Sequence, residues 1–209
     1  MNVTIASFSS EVYLPLSKIT FDKNKVPYAE KHGYKSDLLL TESLEHYHTV
    51  LKYAYGFCRI ERIIELLNTD VDWIWYSGAD VIVTNDTIKI EDIVKDYYGF
   101  DLLVAMDVSH INDDSMLIRN TEWSKSYFKM LFDLRYSDVP DAQNLIIKTY
   151  LDHPQIKIIP QRLINAYDHS LIKRTTDHVG QWQKGDFAIH FVNMDLEDRI
   201  KIVNKYLNI

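Results

Sequence analysis

A chain of 209 residues that is 46% hydrophobic can build one domain with a full core, and its formal net charge of −7 argues against a nucleic-acid polymer as partner, since that backbone is bound by clustered Lys and Arg. The lone cysteine, Cys58, excludes an internal disulfide and a multi-cysteine zinc site, and within a helical pattern it reads as a small buried thiol. No run approaches the roughly 20 apolar residues of a membrane span and the N-terminus lacks a signal-peptide layout, so a soluble, cytoplasmic protein of one domain over residues 1–209 is expected.

Residues 3–8 are apolar and β-branched and end in Ser9-Ser10, the pattern of a first strand followed by a small polar loop. Residues 24–32 read as a short helix closed by Gly33, and residues 37–40 as a second strand. From 44 to 67, Val50, Leu51, Ala54, Phe57, Ile60, Ile63, Ile64 and Leu67 recur at helical spacing. Arg59 and Arg62 lie on or beside that stripe, and Arg59 reads as a solvated head group.

The organising stretch is Asp72 to Asn85. Trp73-Ile74-Trp75-Tyr76 is apolar without alternation, which suits a strand buried on both faces. Ser77-Gly78-Ala79 are small enough for backbone and ligand to meet, and Asp80 is the first ionisable group after the strand. In open α/β sheets ligands bind at the carboxyl ends of the strands, so Asp80 is a candidate ligand or metal contact; the competing reading is an ordinary turn or cap aspartate.

Residues 91–98 form a helix stopped by Gly99, 101–107 and 115–118 are strands, and 122–136 is a helix. Pro140 suits the first turn of a helix to about Leu151, which places Asp141 where a helix dipole favours an acid. Residues 156–159 and 188–192 are strands, the last with His190 in its middle, and 196–207 is an amphipathic helix. Alternating strands and helices imply βαβ units: an α/β domain with a mainly parallel central sheet flanked by helices. The phosphate motifs GxGxxG and GxxxxGK[ST], and HExxH, are absent.

An ordered set of segments now carries a resemblance. It comprises Asn24-Lys25, Tyr28-Ala29, His32-Gly33-Tyr34, Arg62, Asp72 to Trp75, Asn112, Ser115 to Ser124, Asp141-Ala142-Gln143, Gln161-Arg162, Asn165-Ala166-Tyr167, Trp182 and Gly185 to Phe191. The set resembles the galactosyltransferase and xylosyltransferase family that builds plant galactomannan and xyloglucan side chains and yeast mannan. The resemblance implies a Rossmann-like GT-A fold, a UDP-sugar donor, a glycan acceptor and a retaining reaction. It also implies Mn²⁺, with Mg²⁺ as the alternative, held by Asp80 and His190. For His190 the competing reading is a packed core histidine.

Two departures stand out. The family carries Asp-x-Asp after the central strand where this chain has Gly78-Ala79-Asp80, so one carboxylate is missing and weaker metal binding is expected. Family members are usually anchored in the Golgi, and no anchor is read here. The same resemblance places the base and ribose near Ala6, Ser7, Phe8 and Tyr13, with Arg62 pointing at that pocket and Phe8 or Tyr13 stacking on uracil. Ser77, Gly78 and Ala79 would face the ribose and phosphates, and Lys184 beside Gly185 is either a diphosphate contact or a surface lysine. Gln143 and Asp141 would lie near the anomeric carbon, and Asp113 and Asp114, where the family has smaller uncharged residues, would shape the sugar pocket. The degenerate Asp-x-Asp leaves a second reading, a non-catalytic nucleotide-sugar or glycan-binding module. A nucleotidyltransferase is disfavoured because no Gly-rich, Lys-containing loop follows the first strand.

Overall fold

A computed structural model describes residues 1–41, 56–107, 109–139, 141–172 and 179–208. Its strands are β1 (Val3–Ser10), β2 (Lys35–Thr41), β3 (Trp73–Gly78), β4 (Val81–Val83), β5 (Leu102–Met106), β6 (Ile111–Arg119), β7 (Ile156–Ile159) and β8 (Ala188–His190). The helices are α1 (Leu14–Thr20), α2 (Val26–His32), α3 (Phe57–Leu67), α4 (Ile90–Val94), α5 (Glu122–Asp133), α6 (Ala142–Thr149) and α7 (Leu196–Leu207). The expected helical stretch over 44–55 lies outside the described residues, as does Pro140.

Six strands form one mixed, mainly parallel sheet in the order β2-β1-β3-β6-β5-β7. The pairs β1/β2, β1/β3 and β5/β7 are parallel, and β6 runs antiparallel to both neighbours. The central strand is buried on both faces, as its unbroken apolar run demands. Side-chain alternation sends Ile74 and Tyr76 into the core under α3, α5 and α6, and Trp73 and Trp75 into a second core with Tyr28 and Phe187.

Two elements escape the sequence pattern. Helices α1 and α2 are joined through one π turn, Phe21–Lys25, so the expected helix 24–32 begins ten residues earlier, at Leu14. Gly33 closes it in the left-handed region (φ 71°), as expected from its position. Strand β4 follows β3 after only Ala79 and Asp80 and pairs antiparallel with β8 in a separate two-stranded sheet. Among the described residues, no helix is long and apolar enough to cross a membrane.

Candidate active site

The β4/β8 pairing builds the centre of the site. Val81 pairs with His190, and the Phe191 N–H donates to the Asp80 carbonyl at 3.0 Å, so the pairing brings the two backbones together, and the turn at Ala79-Asp80 just before β4 sets the Asp80 side chain toward His190. His190 Nε2 lies 3.2 Å from Asp80 Oδ1. Burial opposes ionisation of Asp80, but His190 and then Arg199 outweigh it and hold the carboxyl down at about 2. For His190 burial also opposes charge, and the Asp80 carboxylate prevails, raising the imidazole above its ordinary value.

The second ring nitrogen fixes the tautomer. His190 Nδ1 is 2.8 Å from Asn165 Oδ1; the Asn165 amide nitrogen faces Tyr167 Oη, which donates to Asp107 at 2.7 Å. In that relay the Asn165 oxygen accepts, so Nδ1 carries a proton; the charged ring donates from Nε2 to Asp80, and loss of that proton leaves an Nε2 lone pair for a cation.

A bulge supplies two further carboxylates. Opposite β5 the register jumps from Met116 to Asn112, which leaves Asp113, Asp114 and Ser115 without β5 partners and swings the two acids to the sheet's end. Asp113 is 1% exposed and ion-paired with Arg59, whose second guanidinium nitrogen donates to Asp114 at 2.9 Å. Burial lowers the guanidinium's affinity for its proton, but Asp113, Tyr76 and Asp114 more than reverse this and hold it charged. Arg59 is therefore a largely covered anchor at the cavity wall and not the solvated head group its helical position suggested.

Gly78 sits between these groups. A Cβ there would lie 2.9 Å from Asp80 Oδ1 and 3.6 Å from the Asp114 Cβ and Cγ, so the place of the missing first carboxylate is walled by the two acids that remain. Behind Gly78 stands Lys25, 0% exposed, whose Nζ donates to the Gly78 carbonyl at 2.7 Å and to Ser7 Oγ at 3.1 Å. Burial pulls this ammonium down to about 7 against the attraction of Asp80 and Asp114. With the folded value depressed, its contribution to stability is complete above the ordinary 10.5 and is lost as pH falls through about 7. The stability advantage of wild type over Lys25→Met is accordingly expected to grow by up to about 1.4 kcal/mol per pH unit from pH 7.5 to 9. Urea unfolding at several pH values reads this out, and a pH-independent difference would refute it.

Two cavities of about 310 and 320 Å³ share the wall formed by Asp80, Asp114 and Arg199. The first is aromatic, with Phe8, Tyr13 and Tyr76 beside Ser9, Ser10, Arg59, Gly78 and Ala79. The second is polar, with Asp107, Asn112, Gln143, Tyr167 and His190.

The structure brings Phe8, Tyr13, Gly78, Ala79, Asp80, Asp114, Gln143 and His190 to these cavities. It leaves out other expected residues, each for a visible reason. Ala6, Ser7 and Ser77 lie inside the sheet, because β1 and β3 run on to Ser10 and Gly78, and Ser9 and Ser10 face the cavity instead. Arg62 turns to Asp37 (2.9 Å) and Glu65, away from the cleft, and Arg59 takes the place expected of it. Lys184 is exposed, and the Gly185 carbonyl accepts from Asn85 at 2.8 Å; neither lines the two cavities. Asp141 caps α6, accepting from the Asn144 N–H at 2.8 Å, and lies outside both linings. The sequence reading quoted Lys25 within the family resemblance without giving it a role, and missed Arg199: one is buried by a π turn, the other sits in the first turn of a helix that looks like a surface helix.

Asp80 and His190 together offer a cation one hard oxygen and one imidazole, a donor pair that suits Mn²⁺. Among the described residues no group of three or more His, Cys, Asp or Glu donors is set around one point. An ion here would draw the rest of its shell from water and ligand oxygens.

Comparison with known proteins bears on the family and the fold. The chain spans 89% of its length in a match to an alpha-1,2-galactosyltransferase of Schizosaccharomyces pombe, at 23% identity, and covers 59% of that protein. In fold it is similar to a glycosyltransferase involved in glycosylation of the major capsid of PBCV-1, with a TM-score of 0.78, 15% identity, and 98% and 100% of the two chains covered. Mouse xyloside xylosyltransferase 1 gives a TM-score of 0.53 at 9% identity over 92% and 98% of the chains. The model of one glycosyltransferase family matches residues 3–97 and 93–200, nearly the whole chain, and on that match this protein belongs to the galactosyl transferase GMA12/MNN10 family.

Proposed function

We propose that this chain transfers a sugar from a UDP-sugar to a glycan acceptor with retention of configuration, assisted by Mn²⁺ or Mg²⁺. The observation that carries the reading is the junction of an aromatic and a polar cavity at Asp80, with His190 beside it. Phe8 and Tyr13 offer the aromatic surface a base needs, and the polar cavity presents hydroxyl, amide and carboxylate groups suited to a sugar. A bound cation would supply Lewis acidity for the charge that develops on the departing diphosphate. Asp80 and His190 would hold it, and the Asn165 relay keeps Nε2 facing that position. Gln143 accepts from the Asp113 N–H through Oε1, which leaves its NH₂ for the donor sugar. With the departing phosphate as base, Asp114 is left to orient the sugar.

Calorimetric titration with UDP, with and without Mn²⁺, is expected to show metal-strengthened binding, and a panel of UDP-sugars to show Mn²⁺-stimulated hydrolysis. Absence of UDP binding under both conditions would sink the proposal. The bare position at Gly78 favours a second reading, a binding module without turnover. That reading requires UDP binding with neither hydrolysis nor transfer.

A further inference from the structure

A diphosphate entering this junction meets Asp80 and Asp114, which repel it, so a cation of the chain itself has to face the cleft. Among the described residues, four candidates lie close by. Lys25 is spent behind Gly78, with no exposure. Arg59 is committed to Asp113 and Asp114. His190 faces Asp80. Arg199 differs from these three: it lines both cavities, and its bonds toward the cleft are loose.

The guanidinium of Arg199 is anchored at one end and weakly held at the other. Nε donates to the Phe191 carbonyl at 2.8 Å, which fixes the stem. Nη2 lies 3.3 Å from Asp80 Oδ2, Nη1 lies 3.3 Å from Tyr13 Oη, and the Tyr13 ring centre is 5.8 Å away. Both terminal distances are long for charge-assisted hydrogen bonds, which run near 2.7–2.9 Å. A planar fork so placed can exchange a carboxylate for a phosphate by a small rotation at its outer end.

Resting on the glycosyltransferase reading, we infer that Arg199 is a diphosphate-binding residue: it stands in as the counter-charge of Asp80 while the site is empty and passes to the donor's diphosphate when a metal ion takes over Asp80. The metal and the guanidinium then compete for one carboxylate when no nucleotide is present and cooperate when it is. A residue that only braced helix α7 against β8 would produce no such reversal of sign.

The test compares wild type, Arg199→Gln and Arg199→Lys, each shown to be folded by circular dichroism. Mn²⁺ binding without nucleotide is read by electron paramagnetic resonance, and UDP binding with saturating Mn²⁺ by calorimetry. Arg199→Gln is expected to bind Mn²⁺ alone several-fold more tightly and UDP about 10- to 100-fold more weakly, with Arg199→Lys restoring most of the UDP affinity. If Arg199→Gln weakens Mn²⁺ binding as well, or leaves UDP affinity within twofold of wild type, the inference falls. Should the glutamine variant fail to fold, Arg199→Lys carries the test alone: about threefold weaker UDP binding with unchanged Mn²⁺ affinity is expected, and unchanged UDP affinity overturns the inference. Wild type that binds no UDP would instead defeat the glycosyltransferase reading on which the inference rests.

Discussion

Replacing Asp80 by asparagine is expected to lower UDP-sugar turnover about 1000-fold, because several kcal/mol of charge stabilisation at the diphosphate depends on that carboxylate and each factor of ten needs about 1.4 kcal/mol. Steady-state kcat/KM with and without Mn²⁺ measures this, and a variant retaining more than a tenth of wild-type activity would remove Asp80 from the proposed centre. Stability should change too. In the wild type the carboxylate lies between His190 at 3.2 Å and Arg199 at 3.3 Å, and asparagine leaves the guanidinium without that counter-charge and removes what raised the imidazole. The depressed folded value, about 2 against 3.8, gives Asp80 about 2 kcal/mol of stability that is present above the ordinary value and lost as pH falls toward 2. His190 has the opposite sign. Its folded value is raised, so its share is present below the ordinary 6.5 and disappears as pH climbs through the raised value. Without metal, wild type is therefore expected to exceed Asp80→Asn most between about pH 4 and the neutral range. Urea midpoints across pH 3–9 locate that window.

Arg59→Met should destabilise the fold by about 3–5 kcal/mol, the cost of stripping one partner from a buried ion pair. Asp113 would be left in the interior without its cation, where burial, and after it the charges of Asp114 and Asp141, already push its carboxyl up to about 7. The double variant Arg59→Met/Asp113→Asn removes the stranded charge and is expected to recover a substantial part of the loss, a coupling that unfolding free energies of the four proteins measure. Strict additivity would mean that Arg59 stabilises the fold by packing alone.

The contrast between Arg59 and Arg62 shows where local pattern stops being informative. Both lie on α3, three positions apart, and the apolar stripe treats them alike. Their environments differ because Asp37 of β2 stands opposite one and the β6 bulge stands opposite the other. The bulge rests on strand registers that become fixed only when β3, β5 and β6 are assembled. Lys25 is a parallel case: a lysine in a helical pattern reads as surface, and one π turn carries it to the interior.

Most of the order of strands and helices, α1 and β4 excepted, together with the doubly buried strand that begins at Trp73 and the acid that follows it, was settled by the chain itself, since apolar runs, small residues and caps act within a few positions of one another. The meeting of Asp80 with His190, more than a hundred positions later, depended on β4 pairing with β8. The recruitment of Arg199 depended on the last helix packing back across that pair. Those contacts join distant segments through backbone hydrogen bonds and helix packing, interactions that any sequence of similar polarity could make in several ways. Only the assembled sheets and their covering helices select one.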